Sequence, residues 1–407
     1  MDTNISKQLN NNSIDTRLDE IKELAYKASE EKPVELLADI YDKQLINKIP
    51  VSKNNYRNIL IYGAGKLGYI CMRLLQQDKN FSFKIIGFLD KNADNIKEFY
   101  GHKVFHTNDT SLDIDCRKNM LIVFALFLPY NDCDNLEQDL RKLGYEYFCN
   151  AMHNLGIFFS DKIIEATGRA YFADDSEQII KTYNMLSDDH SRYVFHAVFR
   201  SHALFNYDIP TLSEGMSQYI DVDVPFRNNY QVFVDCGAYT GDTLITLVER
   251  HMVDLFIGFE PDNNNFAALV NTYDNLKKNA KNIKNAILLP MGVSDKNELT
   301  RFSGTGSSAK IDKNGENIIH SVRLDDVLKG YSNLMIKMDV EGAEASALNG
   351  AKRTIIEKKP DLAICVYHKV EDLWCIPTML HDWVPEYKFY LRNHHPYTME
   401  TVLYATI

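Results

Sequence analysis

The chain has 407 residues, 45% hydrophobic, 25% charged and 11% aromatic, with a formal net charge of -11. Its length exceeds what one hydrophobic core organises, so two domains with helical additions are expected. The acidic balance leaves no basic surplus to release counterions, which excludes a nucleic-acid backbone as the main partner. The 7 cysteines are scattered, odd in number and free of C-x-x-C spacing, excluding a disulfide framework and a zinc site and pointing to a reducing compartment. No apolar run is long enough to span a bilayer, and Met1 to Asp15 is polar and Asn-rich, without the apolar core of a signal peptide. A cytoplasmic location is the expectation.

Residues 1–55 read as a polar, helix-rich arm. Leu18, Ile21, Leu24 and Ala25 recur at helical spacing, and Pro33 interrupts before a second segment with Leu36, Leu37, Ile40 and Leu45. Such an arm suits packing or homo-oligomerisation better than chemistry.

Residues 56–150 form a compact α/β unit. The apolar strand Asn58 to Tyr62 runs into Gly63-Ala64-Gly65-Lys66-Leu67-Gly68, which opens a helix, and a second strand, Ile85 to Leu89, ends in Asp90. A further buried strand covers Met120 to Ala125. A G-x-G-x-x-G turn between strand and helix, followed by an acid at this distance, is a Rossmann-like nucleotide signal. Gly63, Gly65, Gly68 and Asp90 are therefore candidates to hold NAD or a nucleotide-sugar. The unit is similar to the small Rossmann domains that precede sugar acyltransferases, and a turn that has lost its ligand and serves for docking is equally open. No Tyr-x-x-x-Lys dyad lies nearby, which weakens a case for hydride transfer.

Residues 151–229 have helical character, with helices over Glu177 to Leu186 and Asp188 to Leu204, and read as a linker packing over the second domain.

Residues 230–407 alternate strands and helices, an α/β pattern. The run Val232-Phe233-Val234-Asp235-Cys236-Gly237-Ala238-Tyr239-Thr240-Gly241 is a buried strand closing in an acid and a glycine turn. About twenty residues on, Leu255 to Phe259 ends in Glu260, placed to accept hydrogen bonds from ribose hydroxyls. The third glycine of a dinucleotide turn is missing here, and Asp235 would repel a pyrophosphate. That acid suits a cationic ligand such as the methionine portion of S-adenosylmethionine. Further strands are expected at Ala286 to Val293, Ile318 to Leu324, Leu334 to Met338 and Leu362 to Tyr367, with a loop or hairpin at Ser303 to Ser308. Tyr387 to Arg392 and Thr401 to Thr406 read as an antiparallel hairpin around the loop Asn393 to Glu400. A mostly parallel sheet with such a tail is the class I methyltransferase pattern, by analogy.

Segments in one order carry a more specific likeness: Val234 to Thr243, Gly258-Phe259-Glu260-Pro261-Asp262, Ile336-Lys337-Met338-Asp339-Val340-Glu341-Gly342-Ala343-Glu344, and Val366 to Trp374. With Arg323-Leu324-Asp325-Asp326 before the third of these, residues 185–407 resemble the FkbM-type S-adenosylmethionine-dependent O-methyltransferases. The resemblance implies methylation of a hydroxyl on a sugar, glycan or secondary metabolite. It does not reach the N-terminal glycine-rich unit.

Ligands of open α/β sheets sit beyond the carboxyl ends of the strands, so Asp235, Gly237, Glu260, Asp339, Glu341 and His368 should converge on one crevice. Gly237 and Gly241 would admit the cofactor, Asp235 would face its cationic portion, Glu260 would hold the ribose, and Asp295 would lie near the adenine. His368, with an ordinary pKa of about 6.5, is the best-tuned proton acceptor and Asp339 the second. Substrate orientation and a structural strand-end histidine are the other readings of His368. Asp339, Glu341 and Glu344 could contribute to a Mg²⁺ site, although residues two apart face different ways and Glu344 fits the first turn of a helix. His394 and His395 most simply cap a turn.

Overall fold

The computed structural model describes residues 14–27, 58–77, 84–109, 111–126, 130–150, 175–203, 209–213, 215, 218–220, 223–227, 230–250, 253–279, 285–303, 310–311 and 317–407. The second half of the arm, with Leu36 to Leu45, and the loop between Ser303 and Lys310 lie outside them. Among the described residues no helix is long and apolar enough to cross a membrane.

The N-terminal unit contains strands β1 (Asn58–Tyr62), β2 (Lys84–Leu89), β3 (Glu98–Phe99), β4 (His102–Phe105), β5 (Met120–Phe124) and β6 (Tyr147–Asn150). They form one sheet in the order β3-β4-β2-β1-β5-β6, parallel except for the short β3. The β5 run is buried along its whole length, as a strand covered by helices on both faces must be. Helix α2 (Lys66–Gln77) packs Cys71, Met72 and Leu75 on one face, and α3 (Tyr130–Lys142) sets Leu136 and Leu140 on the other.

After α4 (Ser176–Met185) and α5 (Asp189–Ala203) comes the second unit: β7 (Tyr230–Cys236), α6 (Asp242–Arg250), β8 (Val253–Phe259), α7 (Asn263–Asn279) and β9 (Asn285–Leu289). A small sheet of β10 (Gly292–Val293), β11 (Glu298–Ser303), β12 (Lys310–Ile311) and β13 (Asn317–Val322) follows. Phe302 and Ser303 pair antiparallel with Ile311 and Lys310, so hairpin strands flank the glycine-serine stretch. The chain then returns through β14 (Leu334–Met338), α8 (Glu344–Gly350), β15 (Asp361–Cys365), α9 (Asp372–Trp383), β16 (Lys388–Asn393) and β17 (Thr401–Thr406). The main sheet runs β16-β17-β15-β14-β7-β8-β9, with β16 and β17 as the antiparallel hairpin at its edge. This is the class I methyltransferase order. In both sheets the first strand is central and the order reverses beside it, which puts a crevice over β1/β5 and over β7/β14.

The stretch read as a linker does more than connect. Ile179 and Tyr183 of α4 and Phe195 and Phe199 of α5 share one core with Val232, Ile336 and Trp374. Ile21 and Ala25 of helix α1 (Ile14–Lys27) belong to that core too, while Leu18 and Leu24 pack against it. Charge pairs hold α1 in place: Arg17 lies 3.3 Å from Asp189, and Glu20 bridges His196 at 2.8 Å and Arg200 at 2.9 Å. The buried Arg392 of β16 similarly draws in Asp188 at 2.8 Å and Asp223 at 2.9 Å. The core of the second unit thus takes in side chains of α1, α4 and α5 as well as those of the strands after residue 230.

If α1 is core, truncating it must leave a cavity. Ile21→Ala is expected to cost about 2–5 kcal/mol, read as a lowered denaturant midpoint. A loss within about 0.5 kcal/mol, the size of a surface change, would mean that the helix is dispensable.

Candidate active site

The glycine turn after β7 is shaped by the protein's own backbone. Gly237 has a φ of +84°, and a Cβ on it would stand 1.9 Å from the carbonyl oxygen of Asp339. Only glycine fits there. The Asp339 N–H in turn donates to the Cys236 carbonyl at 2.9 Å, so the ends of β7 and β14 are locked together. Gly241, at φ +92°, clears Leu269 and Thr272 of α7. Both glycines, expected to admit a ligand, make room first for the fold itself.

Glu260 closes β8 beneath this turn. Its carboxylate accepts from the Tyr239 N–H at 2.9 Å and the Asp262 N–H at 2.8 Å, bracing the turn against the second strand. Burial raises its pKa despite those amide bonds. A carboxylate has about four acceptor positions, so Glu260 retains capacity for hydroxyl donors. That chemistry fits the ribose of the cofactor implied by the resemblance.

Asp235 departs from expectation. It is fully buried, and Lys337 Nζ lies 2.9 Å from its Oδ1. The strand register sets the two side by side on β7 and β14. Lys337 also donates to the Gly237 carbonyl at 2.6 Å. A fully buried, lysine-paired carboxylate does not face a bound cation. Asp235 instead neutralises the lysine that fixes the glycine turn from below.

Asp295 is also displaced from a shared site. It is exposed, and its carboxylate accepts from the Ser346 hydroxyl at 3.0 Å, which with Ser294 holds its pKa below the usual range. The bond ties the loop after β10 to α8.

Asp339, Glu341, Glu344 and His368 do converge. His368 Nδ1 lies 2.8 Å from Glu344 Oε1, and Nε2 lies 3.6 Å from both Asp339 Oδ1 and Glu341 Oε2. The convergence needs a backbone that alternation would not give: Glu341 and Gly342 have φ of 56° and 91°. Glu344, the first residue of α8, also accepts from the Val340 N–H at 3.0 Å, closing the loop. Tyr219, Tyr239, Thr398 and Glu400 are further non-glycine residues with positive φ around this end of the sheet. Such conformations are costly and concentrate where function over-determines them.

Sequence reading missed the outer ring of the cluster. Tyr219 donates to Asp339 Oδ2 at 2.8 Å, and the Tyr367 hydroxyl lies 3.3 Å from Asp339 Oδ1 and 3.2 Å from Glu400 Oε1. Gln218 holds the other oxygen of Glu400. Tyr367 could have been found from its place beside His368 at a strand end; Tyr219 and Glu400 come from loops with no motif. His394 bonds Tyr404 at 2.8 Å and His395 turns to its neighbour's carbonyl, so both serve the hairpin.

The electrostatics alter the role of His368. Burial disfavours its charge, but Glu344, Asp339 and Glu341 outweigh burial and raise its pKa to about 9. At neutral pH it is an imidazolium, not the free base expected from an ordinary histidine. Burial pushes Glu341 up to about 7 against the pull of His368, and Glu400 likewise rises to about 7. Asp339 is held below the carboxylate range, burial notwithstanding, by Lys337 and His368. Glu341 and Glu400 are thus both poised between charge states near neutrality; Glu400 is held by Gln218 and Tyr367, whereas the Glu341 side chain is 32% exposed.

The donor set does not fit magnesium. Ligand atoms of Asp339, Glu344 and His368 lie within 4.8 Å of one another. Yet Glu344 Oε1 and His368 Nδ1 are spent on each other and the Asp339 oxygens on tyrosines, whereas Mg²⁺ demands near-octahedral oxygen ligands.

In the N-terminal unit, Asp90 repeats the Glu260 device. Its oxygens accept from the Ala64 and Asn92 N–H groups, each at 2.8 Å. Gly68 lets α2 press on β1, since a Cβ there would lie 2.0 Å from the Gly63 carbonyl oxygen.

Removing one partner of a buried pair leaves a stranded charge. Lys337→Met is expected to cost about 3–5 kcal/mol, read by denaturant unfolding. The double change with Asp235→Asn should recover part of that loss; a purely additive double variant would contradict the pairing.

Residues 235–392 match the model of the methyltransferase FkbM domain. No curated protein matches the chain. Among solved structures, a methyltransferase FkbM from Methylobacillus flagellatus KT aligns over 97% of this chain and 100% of its own, with 19% identity and a TM-score of 0.64. An rRNA methylase from Streptococcus thermophilus aligns over 44% of this chain and 87% of its own, with 12% identity and a TM-score of only 0.26. The strong fold match extends past the FkbM segment to nearly the whole chain, both sheets included. Residues 235–392 thus form a methyltransferase FkbM domain, and the protein is an S-adenosylmethionine-dependent methyltransferase.

Proposed function

We propose that the enzyme methylates a hydroxyl of a sugar or glycan, such as a surface polysaccharide, a glycolipid precursor or a nucleotide-sugar. The observation that carries this reading is the Asp339–Glu341–His368 cluster, joined to the cofactor turn by the contact of Gly237 with the Asp339 backbone. When bound, S-adenosylmethionine supplies a methyl group on a sulfonium. Gly237, Gly241 and Glu260 are the residues that would hold it, with Glu260 on the ribose.

A neutral hydroxyl can accept that methyl group only if it gives up its proton, so a residue of the site must take it. Glu341 is placed to take that proton, because its pKa near 7 and its partial exposure match a general base at neutral pH. His368, charged and fixed by Glu344, stabilises the carboxylate form of Glu341 until the proton arrives. Holding the acceptor in line is worth about 7–11 kcal/mol, against about 10²–10⁴-fold from a base. The Tyr219–Tyr367–Glu400 ring, rich in donors and acceptors, suits a polyhydroxyl acceptor. The buried Cys71, Cys236 and Cys365, none of them in a disulfide, agree with a cytoplasmic setting. A nicotinamide- or nucleotide-sugar-dependent reaction on the N-terminal unit is the rival reading; Gly63, Gly65, Gly68 and Asp90 supply a binding turn for it but no proton-transfer pair.

Calorimetry with S-adenosylhomocysteine should show tight binding to wild type and about tenfold or greater weakening in Glu260→Ala. Equal affinities would contradict the ribose contact. Glu341→Gln should lower kcat by about 10²–10⁴-fold with little change in KM for a sugar acceptor, the product gaining the mass of one methylene.

The pH dependence of stability follows from His368. Its folded pKa lies above its unfolded value of about 6.5, so its contribution is complete below that pH and is lost as pH rises through about 9. Thermal midpoints across this window should fall in wild type and flatten in His368→Gln. An unchanged slope in the variant would show that the histidine is not charged.

A further inference from the structure

We propose that the N-terminal domain holds a second ligand site, for a nucleoside diphosphate, at the carboxyl ends of β1, β2 and β4. The site does not depend on the methyl-transfer reading.

The turn is built for a ligand at one position. Gly63 and Gly68 clear protein atoms, but a Cβ on Gly65 would meet nothing within 4 Å, and Gly65 is exposed. Its glycine identity serves no packing need. It sits directly before α2, a helix of 12 residues with no acidic residue in its first turn. The first N–H groups of a helix lack intrahelical partners and favour an anion. A diphosphate can therefore approach the Gly65 backbone where no described atom crowds the Cβ position and no acid stands in the first helical turn.

Asp90 is set for the ribose. Each of its oxygens accepts one amide hydrogen, from Ala64 and Asn92, and keeps acceptor capacity for a diol.

Two buried polar atoms without partners among the described residues stand at the same edge. Tyr62 is 3% exposed, its hydroxyl has no hydrogen-bond partner among the described residues, and it ends β1 immediately before Gly63. Asp90 is near enough to act with burial in raising that hydroxyl's pKa to about 12. His106 follows β4, where the Phe105 carbonyl accepts from the Asp90 N–H at 3.0 Å, and its Nδ1 is likewise buried without a partner among the described residues. Orphaned groups of this kind cost free energy in the empty fold. A ligand bearing hydroxyls and a base satisfies them. Leu67, one residue into α2, packs both on the N-terminal core and on the layer that contains Tyr219 and Tyr367. The turn is thus in physical contact with the methyltransferase unit.

The test is calorimetry on the full-length enzyme saturated with S-adenosylhomocysteine, so that an adenine ligand cannot report on the other site. UDP, GDP and ADP are titrated separately, and the base that binds names the nucleoside. A Cβ at residue 65 meets no described atom within 4 Å, so Gly65→Val should abolish binding while leaving the thermal midpoint and S-adenosylhomocysteine affinity near wild type. Asp90→Asn should weaken binding about tenfold and provides a second readout if Gly65→Val disturbs the helix start. Binding of none of the three diphosphates to wild type, or equal binding by wild type and both variants, overturns the proposal.

Discussion

The site depends on one close approach. Gly237 after β7 and Asp339 after β14 pass so near that no side chain fits between them, and the Asp339 N–H closes the contact onto Cys236. This happens where the strand order reverses, so the turn proposed to hold the cofactor and the acid of the proposed acceptor site share a single backbone junction. Methyl transfer needs donor and acceptor aligned along one line, and alignment outweighs the identity of the base. A junction without an intervening side chain is the stiffest way to keep two halves of a site in fixed register. Any residue larger than glycine at 237 would separate them before it disturbed either alone.

Buried charge is the second constraint, and it is handled differently at two depths. Beneath the turn, Asp235 and Lys337 form a pair in which each neutralises the other, and Lys337 spends a proton on the Gly237 carbonyl. Nearer the crevice the balance is unequal: Asp339, Glu341 and Glu344 surround one imidazolium, and Glu400 stands beside them. Carboxylates crowded in low dielectric cannot all remain ionised. Asp339, favoured by the charges of Lys337 and His368, keeps its own, while Glu341 and Glu400 are driven up toward neutrality. The crowding that costs stability is what gives Glu341 a usable proton affinity.

The strands were legible because apolar runs such as Leu334 to Met338 and Leu362 to Cys365 admit little else, and the glycine turn was legible because left-handed backbone favours glycine. Convergence on His368 was legible only in part. Asp339 and Glu341 lie two residues apart, so alternation sends them to opposite faces; Glu341 defeats alternation by adopting a left-handed conformation that sequence does not advertise. Asp235 was misread for want of its partner, although a lone lysine inside the run Met335-Ile336-Lys337-Met338 signals a buried countercharge. Tyr219 reaches Asp339 across 120 residues and Glu20 reaches His196 across 176, contacts that no local pattern encodes.

The two sheets solve one problem twice with opposite sign. In each, an acid ending the second strand reaches back to a backbone N–H of the first turn, Asp90 to Ala64 across 26 residues and Glu260 to Tyr239 across 21. Each acid therefore stands beside its own turn and is suited to a ribose. What separates them is the helix that follows. α6 begins with Asp242, an acid in its first turn, and α2 has none. A carboxylate at a helix start already takes the favourable field of the exposed N–H groups and repels a phosphate. The C-terminal turn is thereby suited to an adenosine cofactor whose charge is cationic, and the N-terminal turn to one whose charge is anionic. A single acidic residue at the first helical position thus separates the ligands proposed for two otherwise parallel frameworks.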